Sequence, residues 1–193
     1  TALDIMRQLL DGLAYSHQNN VVHRDIKPAN IILLDGSGRV KIADFGVARI
    51  DTSELTQAGD VLGTPAYMSP EQLLGKSVEG RADLFSAGVV FFELLTGEKP
   101  FIGGNITAVM HSVLTADPPA PSQRNTQLPP LCDSIISKAL SKDAADRYQS
   151  AGEFKAALKT LLGQSKASPA PKSVTTTNKT VEKPAQPPQT KAP

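Results

Sequence analysis

The chain has 193 residues, with 20 basic and 19 acidic side chains and a formal net charge of +1. That balance conceals an acidic body and a basic tail: residues 165–193 hold five lysines and one acid, so residues 1–164 carry 15 bases against 18 acids. A nucleic-acid-binding domain driven by overall basicity is excluded, because the part apolar enough to fold repels phosphate.

Leu3, Met6, Leu9, Leu10 and Leu13 recur at helical spacing until Asn19-Asn20 breaks the pattern, which predicts an amphipathic core helix over 3–17. No initiator methionine or targeting segment precedes it, so the sequence is expected to be a piece of something longer. Val21-Val22 reads as a short extended piece. Ile31–Leu34 and Arg39–Ile42 flank the turn-rich Asp35-Gly36-Ser37-Gly38, the pattern of two short strands. Residues 51–63 show no sustained period and read as a mobile loop. Ser69-Pro70-Glu71-Gln72 then opens a helix, with serine as N-cap, proline at the first helical position and glutamine three after the cap, a capping box.

The most apolar helix is predicted over 81–96, closed by Thr96-Gly97. Its apolar stretch, Leu84 to Leu95, contains Glu93 and falls short of the roughly 18 to 20 residues that span a bilayer. Helices over 105–114 and 131–140 follow, and Ser150 with Glu153 forms a second capping box, opening a helix to about Leu162. Cys132 is the only cysteine, which excludes an internal disulfide and favours a reducing compartment; on an apolar helix it is expected to be buried and inert. His17 and His111 have no second ligand at metal spacing and read as ordinary polar positions.

The last 29 residues contain six prolines, eight serines or threonines and no aromatics, too little apolar surface to offset the entropy of folding. The expected organisation is a mainly α body with a small β-hairpin over 1–163, followed by a disordered Pro/Ser/Thr/Lys-rich linker over 164–193.

His23-Arg24-Asp25-Ile26-Lys27-Pro28-Ala29-Asn30 places a carboxylate, an ammonium and an amide on one short loop, and Asp44-Phe45-Gly46 follows fourteen residues later. Phosphoryl transfer asks little covalent chemistry of a protein. It needs metal ions on the phosphate oxygens, a carboxylate to orient the attacking hydroxyl, and cations to balance developing charge. These residues supply each part. Taken alone, His23-Arg24-Asp25 reads as a surface turn with a salt bridge, and Asp44-Phe45-Gly46 as a turn after a strand. In combination with Gly63-Thr64-Pro65-Ala66-Tyr67-Met68-Ser69-Pro70-Glu71, they resemble the catalytic-loop, metal-binding and substrate-docking signatures of the protein kinase family. Ser69 stands where the family usually has alanine, Phe85 where it has tryptophan and Ala144 where it has proline; these departures bear on packing more than on chemistry.

The resemblance covers residues 1–163 and implies a protein-kinase-like C-terminal lobe. It implies that Asp25 accepts or orients the substrate hydroxyl, that Lys27 pairs with the γ-phosphoryl of ATP, and that Asn30 and Asp44 hold Mg2+. Lys27 two residues after Asp25, with Thr64 positioned to bridge them, resembles the serine/threonine kinases and not the tyrosine kinases. Arg24 is implied to be regulatory, pairing with a phosphate on the activation segment, where Thr52, Ser53 and Thr56 are the candidate acceptors; autophosphorylation, and with it kinase self-association, is expected. His23, Phe45 and Gly46 are implied to set the loop's posture. Glu71 is expected to pair with Arg147, and Asp83 to accept backbone N–H bonds from the catalytic loop, with a favourable place at a helix N-terminus as the simpler reading.

The short activation segment and the tail look most like bacterial serine/threonine kinases of eukaryotic type, in which a linker often leads to a membrane helix or sensor domains. The expected location is cytoplasmic, with any anchor beyond the linker; Thr175, Thr176, Thr177 and Thr180 are secondary candidates for phosphorylation, behind a plain spacer role. No Gly-x-Gly-x-x-Gly occurs in the sequence, and the lysine strand and helix glutamate of the N-terminal lobe are missing. The 193 residues alone are therefore expected to have little or no activity. The expected partners are Ser/Thr-containing protein substrates. Two other classes compete: a pseudokinase-like binding scaffold, against which the intact Asp25, Lys27, Asn30 and Asp44 argue, and a basic-tail tether to anionic membrane or nucleic acid, for which five scattered lysines are too sparse.

Overall fold

The computed structural model describes residues 2–34, 36–45 and 65–165. Among these residues, seven α-helices and one two-stranded antiparallel sheet follow in the order α1 (Ala2–Gln18), β1 (Ile31–Leu34), β2 (Arg39–Ile42), α2 (Pro70–Leu73), α3 (Gly80–Thr96), α4 (Ile106–Thr115), α5 (Pro121–Arg124), α6 (Leu131–Ala139) and α7 (Ala151–Ser165). Single 3-10 turns lie at Pro28–Asn30, Pro65–Tyr67 and Ala144–Asp146.

The architecture is built around α3. Eleven consecutive residues, Ala82 to Phe92, are buried, so this helix has no solvent face along most of its length. Neighbours wrap it on several sides: α1 lies between α3 and α7, and α6 packs on both α3 and α7. Gly88 marks a close approach of α3 to α6, since a Cβ there would come within 2.9 Å of the Ala139 methyl carbon. Aromatic rings fill the layer beyond: Phe91 meets Phe154 edge-on at 6.5 Å between centroids, and Phe154 stacks on Tyr148 at 4.5 Å. Helix α3 ends at Gly97, whose φ of 76° is the left-handed conformation that glycine adopts without a steric penalty.

Helix α1 buries Met6, Leu9, Leu10 and Leu13, the stripe read from the sequence. Its far end turns back sharply at Asn20, with φ 59°. Val21 gives its N–H to Ser16 O at 2.9 Å and accepts the Ser16 hydroxyl at 2.7 Å. Those bonds occupy the backbone of Val21 locally, so Val21-Val22 forms no strand. β1 and β2 pair from Ile31–Ile42 to Leu34–Arg39, and Gln8 of α1 braces β2 and its turn by accepting from Val40 N and donating to Gly38 O.

The capping box at Ser69 is complete: Gln72 N donates to Ser69 Oγ, and Gln72 Oε1 accepts from Ser69 N. The one expected at Ser150 is half formed. Glu153 N reaches Ser150 Oγ at 3.1 Å, but the Glu153 carboxylate takes Gln149 N at 2.8 Å and Lys138 Nζ at 2.6 Å. α7 continues to Ser165, three residues past the expected end. Cys132 is buried, and burial pushes its thiol up to about 11, in line with an inert side chain.

Candidate active site

The segment from His23 to Asn30 runs between the end of α1 and β1, and Ile26, fully buried, pins its midpoint to the core. With Ile26 inward, Asp25 and Lys27 face outward on either side. Lys27 Nζ lies 2.8 Å from Asp25 Oδ2, and Asn30 Nδ2 donates to the same oxygen at 2.9 Å and to Asp25 O at 2.8 Å. One carboxylate oxygen thus gathers an ammonium and an amide donor, while both partners remain within reach of solvent, the ion pair being about a quarter exposed.

Asp44 stands at the exit of β2. Two hydrogen bonds at Ala43 fix its approach: Ala43 N donates to Asn30 O at 2.9 Å, and Ala43 O accepts from His23 Nε2 at 2.8 Å. Because Nε2 faces a carbonyl, it carries the proton, and Nδ1 accepts from Asp25 N at 3.2 Å. His23 is fully buried and packs against Phe45, ring centroids 4.8 Å apart, though Phe45 itself is 42% exposed. The Asp44 carboxylate is exposed and has no hydrogen bond or ion pair among the described residues.

The loop is anchored from α3. Asp83, 1% exposed, accepts His23 N and His17 Nε2 on Oδ2, each at 2.8 Å, and Arg24 N on Oδ1 at 2.7 Å. A buried carboxylate is tolerated here because three donors converge on it. His17 is therefore no ordinary polar position, and its partner lies 66 residues away. Among the described residues, His111 hydrogen-bonds Thr115, one turn further along α4. A second anchor joins Glu71 and Arg147 in a two-pronged pair at 2.7 and 2.8 Å. The Arg147 side chain is fully buried, donates also to Ser141 O and Lys142 O, and lies over the Phe85 ring. Burial alone would raise the Glu71 pKa, but the guanidinium bonds outweigh it and hold the carboxyl below its ordinary range.

Gly46, Thr52, Ser53, Thr56 and Thr64 lie outside the described residues, as does the tail from Lys166 onward.

The family model described as "Protein kinase domain" matches residues 1–160. The chain belongs to the protein kinase family. It is 43% identical over 159 residues to the serine/threonine-protein kinase PknB of Mycobacterium leprae, covering 81% of this chain and 25% of that protein. Against the PknB of Mycolicibacterium smegmatis it is 41% identical over 182 residues, 93% of this chain and 29% of the relative. Among solved structures, the kinase domain of Mycobacterium tuberculosis PknI superposes with a TM-score of 0.62 at 29% identity, covering 83% of this chain and 54% of that domain. The chain spans about a quarter of the length of the curated relatives it matches and about half of the solved kinase domain.

In this kinase lobe the donors suit a hard divalent cation. Asn30 spends its amide protons on Asp25, and among the described residues neither its Oδ1 nor the Asp44 carboxylate has a partner. Two oxygen ligands from protein, completed by phosphate and water, are what Mg2+ usually takes, and no cluster of three or more His, Cys, Asp or Glu competes among the described residues. Gln72, read in the sequence only as a helix cap, also reaches the loop: its Nε2 donates to Arg24 O at 2.7 Å.

Proposed function

We propose that this chain carries the catalytic loop and metal-binding half of a serine/threonine protein kinase, which transfers the γ-phosphoryl group of ATP to hydroxyls of protein substrates. The observation that carries the reading is the convergence of Lys27 Nζ and Asn30 Nδ2 on one oxygen of Asp25, with the Asp44 carboxylate unpaired among the described residues. Asp25 Oδ1, the carboxylate oxygen those donors leave open, accepts and orients the substrate hydroxyl. Lys27, already beside Asp25, balances the negative charge of the transferred group. Asn30 Oδ1 and Asp44 would hold Mg2+, which would supply positive charge to neutralise phosphate oxygens. The exposed Arg24 side chain receives a phosphate on Thr52, Ser53 or Thr56, and that modification arises by autophosphorylation between kinase copies. No helix among the described residues is long and apolar enough to cross a membrane; a cytoplasmic location for the catalytic lobe follows the same reading.

The test is phosphotransfer from ATP to a Ser/Thr protein substrate by the natural gene product that carries this sequence. Asp25→Asn is expected to lower kcat by roughly 100- to 10,000-fold with an unchanged thermal midpoint. Wild-type turnover in that variant refutes the assignment, and turnover by neither protein favours a binding scaffold. The 193-residue chain assayed by itself is expected to show little or no turnover, since its sequence supplies no glycine-rich loop over the phosphates.

A further inference from the structure

Arg24, the residue before Asp25, holds a backbone conformation that a side-chain-bearing residue rarely adopts, φ 68°. Such a conformation persists only where the surroundings over-determine it. Here the two peptide groups flanking Arg24 are pinned from three directions. The N–H of Arg24 goes to Asp83 Oδ1 at 2.7 Å, from α3. The peptide that joins Arg24 to Asp25 is held at both its polar atoms: its N–H donates to His23 Nδ1 at 3.2 Å, and its carbonyl accepts Gln72 Nε2 at 2.7 Å, from α2. The orientation of that peptide sets the direction in which the Asp25 side chain leaves the backbone.

We propose that Gln72 is a positioning residue for Asp25, acting through the Arg24 carbonyl. The inference rests on the kinase reading above. Gln72 performs two tasks with opposite ends of one amide. Its Oε1 accepts Ser69 N at 3.0 Å and Ser69 Oγ at 3.1 Å, closing the capping box of α2. Its Nε2 reaches 48 residues back along the sequence to the catalytic loop. A glutamate at the third helical position would cap equally well, so capping alone does not require an amide; a donor toward Arg24 O does. Helix α2 begins three residues after the end of the Pro65–Tyr67 turn, so this bond ties the start of that helix to the backbone that aims Asp25.

Two substitutions separate the tasks. Gln72→Glu keeps the acceptor for Ser69 and places a carboxylate oxygen against the Arg24 carbonyl, where it repels. Gln72→Lys keeps a donor for Arg24 O and removes the acceptor. With amide hydrogen exchange of Asp25 and the thermal midpoint read on the 193-residue chain, and kcat and KM for ATP on the natural gene product, the effects are expected to cross. The glutamate variant should retain its thermal midpoint, exchange the Asp25 amide at least about tenfold faster and lose about tenfold in kcat with KM little changed. The lysine variant should melt earlier and lose less in kcat. Asp25 exchange or kcat unchanged in Gln72→Glu, or the lysine variant losing more kcat than the glutamate variant, overturns the proposal. Absence of turnover in the wild-type protein defeats the kinase reading instead, and the exchange comparison still decides whether Gln72 holds the loop.

Discussion

The helical core around α3 and the loop from His23 to Asn30 are ordered by opposite means. The core is apolar and shape-determined: Phe85, Phe91, Phe92, Leu9, Leu10 and Phe154 are fully or almost fully buried, and their positions follow from close packing. The loop has little side-chain packing apart from His23, Ile26 and Asn30, and its shape is imposed by hydrogen bonds that other elements make with its backbone. Packing tolerates exchange among apolar shapes of similar volume, whereas a backbone clamp depends on one acceptor or donor at one place. The difference teaches that stability and catalytic geometry are written in separate sets of residues, so the two should be separable by mutation.

The largest break is expected in the core. Phe91→Ala should cost roughly 3 to 5 kcal/mol in a denaturant titration, with activity per folded molecule preserved. Glu71→Ala should reach a similar size, roughly 3 to 5 kcal/mol, because it leaves the Arg147 guanidinium buried without its carboxylate. Its pH dependence has a definite sign. The folded-state pKa of Glu71 lies below the unfolded one, so the unfolded chain takes up a proton first as pH falls. The pair's contribution is fully present above the ordinary glutamate range and is lost as pH drops through the lowered value; the gap between wild type and Glu71→Gln should therefore narrow in acid.

A smaller effect on stability, with a larger one on catalysis, is expected from the loop. Asp83→Asn replaces one acceptor by a donor against the loop's N–H groups and should cost about 1 to 3 kcal/mol. Its fall in kcat should exceed that of Phe91→Ala despite the smaller destabilisation; equal losses of kcat would erase the distinction between the two regions. The smallest effect belongs to the surface. Lys138 and Glu153 form a 2.6 Å pair, but both are about 40% exposed, and Lys138→Met should change stability by less than about 1 kcal/mol.

What the sequence made legible follows the same division. Helices α1 and α3 and the hairpin announce themselves by local periodicity, and their bounds fall within a residue or so of the pattern. The four-residue α5 has no period to read, and Val21-Val22 is apolar without being a strand, because its backbone is taken by Ser16. Asp25, Lys27 and Asn30 lie within six residues of one another, so their convergence was readable from spacing. The Glu71–Arg147 and Asp83 anchors span 76 and about 60 residues and were approachable only through the family resemblance. His17 and Gln72 were not legible in their wider roles. Each sits in a helix pattern that accounts for it locally, and a hydrogen bond across 66 or 48 residues leaves no mark on composition or period.

Ala43 shows how anonymous a decisive position can be. It contributes only main-chain atoms, yet its N–H holds Asn30 O and its carbonyl takes His23 Nε2, fixing where Asp44 leaves β2. The spacing of the Asn30 and Asp44 backbones is consequently held by hydrogen bonds at the Ala43 main chain, and only the reach of each side chain is left to its rotamer. Side-chain exchange at Ala43 would leave that spacing unchanged, whereas Ala43→Pro, which lacks the N–H, would release it.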